Sequence, residues 1–215
     1  MRIEEGLPYA SALLAAGAAW AAAARPDQSL ERILKALALL ALGIFAFLRG
    51  VAPSTLAAAL ILSAIAQALP PPRERPAWAT GSSLAAVLAW VAFAWLLWRE
   101  GMGRAVLTEP AHLALIALSA AAAVAVLLVL RKRLGEAGPG AAIDLSVMVL
   151  MLAAAFTLPF GLWPAMAGAA ALFASEAMAL DRNFRAEPRA PAPERVVQWL
   201  LAFGGQVAIA SIFLR

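Results

Sequence analysis

Apolar residues in this chain come in long unbroken runs, and the polar residues bunch between them. Eight runs can be drawn, at residues 7–24, 36–48, 54–69, 81–98, 110–130, 141–157, 163–180 and 196–214. A helix needs roughly 20 apolar residues to cross a bilayer, with about 17 to 25 tolerated. Strand-like alternation of apolar and polar positions is not the pattern. The runs predict an all-α fold, a polytopic membrane bundle of about eight transmembrane helices. Residues 1–215 form one integral membrane domain on this reading.

Punctuation between the runs supports the division. Ser29 is placed to cap the second helix, with Arg32 and Lys35 in its first two turns. Pro70, Pro71 and Pro72 stop the third, because proline lacks the amide and clashes with the preceding turn. The PPPRERP stretch they open reads as a rigid surface loop. Thr108, Glu109 and Pro110 read as a helix start, and Arg131, Lys132 and Arg133 as the end of the same helix. Pro159 and Gly161 break the sixth run, and a Pro- and Arg-rich stretch, 181–194, reads as a polar loop. Trp78, Trp95 and Trp98 suit the bilayer boundary, whereas Trp90 suits the interior.

Composition narrows the class. The chain is 64% hydrophobic, 14% charged and has a mean hydropathy of +0.83, too apolar for a soluble domain. There is no cysteine and one histidine, so neither a thiol site nor a histidine cluster is available, and no metal or cofactor is expected. The net charge of +4 sits in short connections, which argues against nucleic acid. Glu4 and Glu5 spoil the basic start of a cleaved signal peptide, and further spans follow. With an even number of spans, Arg2, Arg49, Arg99, Arg104 and Arg215 share the side of the termini, and the other twelve of the 17 basic residues fall opposite. That asymmetry predicts both termini outside, in a bacterial inner membrane.

The candidate chemistry lies where charge interrupts an apolar run. Residues 168–185 read GAAALFASEAMALDRNFR, an apolar helix holding one carboxylate, Glu176. Ionisable groups at such depth are costly and mark function by default. The predicted topology puts Lys35, Gln67, Asp144 and Glu176, from four helices, in one layer near the basic side, with Gln206 deeper. Lys35 opposite Asp144 or Glu176 would make either acid tolerable. His112 falls at the other end of its helix, as an interfacial residue.

The pattern resembles the YhhN-like membrane proteins, whose characterised relatives are lysoplasmalogenases. LFASEAMAL, residues 172–180, looks like that family's LLFxxSDxxLAL, with Ser175 and Glu176 in place of Ser-Asp. Asn183 and Phe184 look like the position that follows it, Asp144 and Met151 like a tyrosine and methionine of the sixth helix, and residues 202–206 like a closing YWxxQ ending in Gln206. Ala66 and Gln67 stand where the family carries Gly-Asp, and the histidine and tyrosine of its fourth helix are missing around residues 89–92.

The resemblance implies hydrolysis of the vinyl ether of a lysoplasmalogen or related lysophospholipid. Such a reaction needs a proton donor and an oriented water. Glu176 would be the acid and Asp144 the partner of the water. Lys35 would hold the phosphate or the carboxylates, with Gln67, Gln206 and Ser175 at the substrate. The expected partner is a membrane lipid or lysophospholipid, and a homo-oligomer is left open. A relative that binds lipid or assists membrane-protein assembly without catalysis is the alternative. A small transporter is disfavoured, since polar residues toward the outer face are few beyond Ser63, Thr157 and Ser211.

Overall fold

The computed structural model describes residues 3–24, 28–50, 54–69, 76–134, 138–184 and 191–214. Within them the chain forms eight α-helices. These are α1 (Ile3–Ala24), α2 (Gln28–Arg49), α3 (Ser54–Ala68), α4 (Pro76–Glu100), α5 (Pro110–Leu134), α6 (Gly138–Ala155), α7 (Trp163–Phe184) and α8 (Ala192–Phe213). Residues 25–27, 70–75, 135–137 and 185–190, which include most of the PPPRERP stretch, lie outside the described residues. So do the side chains of Trp78, Arg131, Lys132, Arg133, Asn183 and Phe184.

Local signals explain the helix ends. Gly50 closes α2 at φ 63°, a conformation that favours glycine, and its amide donates to the Phe47 carbonyl at 3.3 Å. Pro110 opens α5, where its missing amide costs nothing. The Glu109 carbonyl accepts from the amides of His112 and Leu113, at 3.1 and 3.3 Å. After α6, Thr157 Oγ1 donates to the Ala154 carbonyl at 2.7 Å, and a 3-10 turn, Phe160–Leu162, leads into α7.

Two boundaries differ from the sequence reading. Ser29 lies inside the first turn of α2, not ahead of it. The polar stretch 181–194 is also mostly helical where described, because α7 continues through Asp181 and Arg182 and α8 starts at Ala192. Charge ends an apolar run without ending a helix. Arg182 suits the last turn of α7, where the helix dipole favours a cation.

Four helices, α1, α4, α5 and α8, contain stretches long and apolar enough to cross a membrane. Those in α2 and α7 are interrupted by charge, Glu31, Arg32 and Lys35 in one, Glu176, Asp181 and Arg182 in the other. At 15 residues α3 is only about 22 Å long, shorter than the roughly 30 Å hydrocarbon layer. With its helical architecture and its outer apolar surface, the chain is an integral membrane protein. Leu13, Trp20, Trp95, Trp98 and Val129 all point outward and are more than half exposed. Trp90 is buried instead and stacks on Phe93 with ring centroids 6.2 Å apart.

The helices pack in a closed circuit: α1, α2, α3, α4, α6, α7, α8 and back to α1. α5 sits outside it, against α6 and α7. Leu56, Leu60, Phe93, Leu97, Met148, Met151 and Leu172 fill the main core. A second cluster around Leu39, Ala64 and Trp199 joins α1, α2, α3 and α8. Polar bonds fasten α1 to this second cluster. Ser11 Oγ donates to the Ala38 carbonyl at 2.7 Å, and Trp199 Nε1 donates to the Ala15 carbonyl at 3.0 Å. Where water is scarce such interhelical bonds add to packing, at about 0.6 to 2 kcal/mol each.

Candidate functional site

Glu176 occupies the third quarter of α7 and is half-buried. The neighbouring helix α6 brings Asp144, also half-buried, within electrostatic reach of it. Arg182, six residues further along α7, is the third charged group in this field, about 9 Å on along the helix axis. Two acids from two adjacent helices therefore lie within electrostatic reach of one another, beside a cation that can neutralise one of them. Leu145, Met148, Leu172 and Phe173, from the same two helices, are buried beside them.

Lys35 does not take either acid as its partner. Its ammonium donates to Glu31 Oε1, one turn earlier on α2, at 2.6 Å. It also lies over the Trp199 ring, 5.4 Å from the centroid. Glu31 Oε2 reaches Arg195 Nη1 of α8 at 3.5 Å, and Arg195 Nη2 donates to the Ala22 carbonyl of α1 at 2.5 Å. Arg182 Nη1 donates to Gln198 Oε1 at 2.7 Å, from α7 to α8. The polar groups thus fall into two sets. One is the acid pair Glu176 and Asp144; the other is the cluster of Glu31, Lys35 and Arg195. Arg182 lies within electrostatic reach of both.

The remaining candidates have separate settings. Ser175 is buried and its Oγ donates to the Gln198 backbone carbonyl at 3.1 Å, so it ties α7 to α8. Gln206 is buried in α8, and its Oε1 has no hydrogen-bond partner. Gln67 is half-buried in the last turn of α3, with no hydrogen bond or ion pair to the acids. His112, in the first turn of α5, is packed into the protein and 1% exposed. Its Nδ1 lies 2.6 Å from the Phe156 carbonyl and its ring rests on Phe160, which clamps the start of α5 onto the α6–α7 connection. No group of three metal-ligating side chains occurs among the described residues.

Glu31, Arg182, Arg195, Gln198 and Trp199 were not singled out from the sequence. Glu31 and Lys35 are four apart on a helix, the spacing at which opposite charges pair, so that contact was legible. The roles of Arg182 and Arg195 were hidden by ending one helix at 180 and starting the next at 196.

An apolar cavity of about 250 Å³ lies between α5 and α7, lined by Ala125, Val126, Val129, Ala177 and Asp181. Asp181 is the one charged residue in its wall. Apolar walls leading toward charged groups suit an amphiphile.

These features define a helical membrane protein with acids and cations gathered among its helices. Residues 30–212 match the YhhN family, and the chain belongs to that family. The match begins in α2 and leaves α1 outside. No curated protein and no solved structure matches the chain.

Proposed function

We propose that this YhhN-family protein hydrolyses the vinyl ether of a lysoplasmalogen-like lysophospholipid, with Glu176 as the acid and Asp144 as the group that holds water. The observation that carries this reading is the convergence of Glu176 and Asp144 from α7 and α6 in apolar surroundings. Protonated Glu176 delivers its proton to the outer vinyl carbon, which leaves an oxocarbenium ion at the carbon bearing oxygen. Water held by Asp144 adds there and gives up a proton, and the hemiacetal collapses to a long-chain aldehyde and the glycerophospho alcohol. One water is consumed, and Glu176 regains its proton.

We place the chain in a bacterial inner membrane, and the basic-residue asymmetry favours both termini facing outward. The test is incubation of the detergent-solubilised full chain with 1-alkenyl, 1-acyl and saturated 1-alkyl lysophospholipids. Aldehyde is expected from the alkenyl lipid alone. No aldehyde under conditions where lipid binds would leave a lipid-binding protein without catalysis. That second reading is favoured by Gln67, an amide where the family carries an aspartate, with no hydrogen bond to either acid.

A further inference from the structure

We infer that Lys35, Arg182 and Arg195 form a phosphate-binding site for the headgroup end of the lipid. Three helices supply the three cations, and Glu31 holds two of them, at 2.6 Å from Lys35 and 3.5 Å from Arg195. Arg182 lies within electrostatic reach of Glu31, Glu194, Glu176 and Arg195. With Glu176 protonated, as the proposed acid, three cations face two carboxylates and leave one positive charge for an incoming anion. The cluster is also incompletely satisfied: Arg195 Nε is buried and has no hydrogen-bond partner. Buried guanidinium donors are normally paired, and a phosphate oxygen is the acceptor that suits them. Arg195 sits in the first turn of α8, where the helix dipole adds to the attraction for an anion.

Spacing connects this site to the acid pair, and here the inference rests on the lysolipid reading. Arg182 is about 9 Å along α7 from Glu176. In a lysoplasmalogen, seven bonds separate the outer vinyl carbon from phosphorus. At the roughly 3.3 to 3.6 Å that three extended backbone bonds span, seven bonds reach about 8 Å. A lipid whose vinyl carbon meets Glu176 therefore brings its phosphate to the level of Arg182 along α7, the end of the bundle where Lys35 and Arg195 share Glu31.

The experiment measures binding of saturated 1-O-alkyl lipids, which have no vinyl ether and cannot be turned over. Native mass spectrometry of the full chain released from detergent compares 1-O-hexadecyl lysophosphatidylcholine with 1-O-hexadecylglycerol, which lacks phosphate. The phosphate lipid should bind at least about tenfold more tightly, the worth of one charge-assisted contact. Arg182→Gln and Arg195→Gln should each remove most of that preference and leave the neutral lipid unaffected. Arg195→Lys keeps the charge beside Glu31 while removing the buried guanidinium donor, and should weaken the preference if the glutamine variant does not fold. Competition by inorganic phosphate would assign recognition to the phosphate group alone. Preference without competition would assign it to the phosphate presented on a lipid. Equal affinity of the wild type for the two lipids overturns the inference with no variant needed. Preference without aldehyde release from alkenyl lipids upholds this site and removes the hydrolase reading. Aldehyde release without preference does the reverse.

Discussion

Gly168 of α7 and Gly205 of α8 meet backbone to backbone: a methyl group on either would lie 2.6 Å from the carbonyl oxygen of the other. Small residues let membrane helices approach this closely, where packing and not hydrophobic exclusion holds them together. The same pair of helices carries Ser175, Glu176, Arg182, Arg195 and Gln198, so the glycine contact sets the spacing of the site. Gly205→Val should lower the melting temperature in detergent by an overpacking cost of about 1 to 3 kcal/mol and reduce turnover as well. Gly204→Ala, at a position with nothing within 4 Å, should change neither.

Glu176 separates catalysis from binding. Glu176→Gln keeps the shape and removes the transferable proton, so turnover should fall by about 10²- to 10⁴-fold while lipid binding persists. Glu176→Asp keeps an acid withdrawn by one methylene and should retain partial activity. Aldehyde release at the wild-type rate from Glu176→Gln would end the assignment.

The buried pair on α2 should behave as a unit. Glu31→Gln leaves Lys35 and Arg195 without their carboxylate, and a thermal melt should show a loss of about 3 kcal/mol. Adding Lys35→Met should restore part of it, since the second change removes the charge left unpaired. Additive losses in the double variant would mean that the two residues do not share an energetic link.

His112 makes its contribution at the opposite end from the acid pair. His112→Phe removes the 2.6 Å link to the Phe156 carbonyl and should destabilise the protein by about 1 to 3 kcal/mol. Turnover per folded molecule should remain at the wild-type value in the aldehyde assay, and a large fall would bring His112 into the chemistry.

Orientation can be read by labelling in intact cells. Glu109→Cys, just ahead of α5, should react with an impermeant maleimide from outside, and Gly140→Cys, in the first turn of α6, should not. Both positions are exposed, so reversed labelling would invert the topology.

The sequence by itself determined the helices and the membrane class, because a 20-residue apolar run has few other solutions in a bilayer. It also marked Glu176, since a lone carboxylate in such a run has no cheap place to go. The placing of Trp90 inside and of Trp95 and Trp98 outside was legible for the same reason, the match of each residue to its surroundings. Apart from the local pair of Glu31 and Lys35, which charges meet was decided only by tertiary structure. Lys35 could have faced Asp144 or Glu176 on depth alone, but the rotation of α2 about its axis turns it onto Trp199 and brings Glu31 to Arg195. Depth follows from position along a helix, whereas azimuth follows from how neighbouring helices pack, and that information is spread over many small contacts such as Gly168 against Gly205. Arg182 and Arg195 join the site for a related reason. Their helices continue past the apolar boundary, and α7 and α8, packed side by side, carry both cations to the end where Glu31 lies.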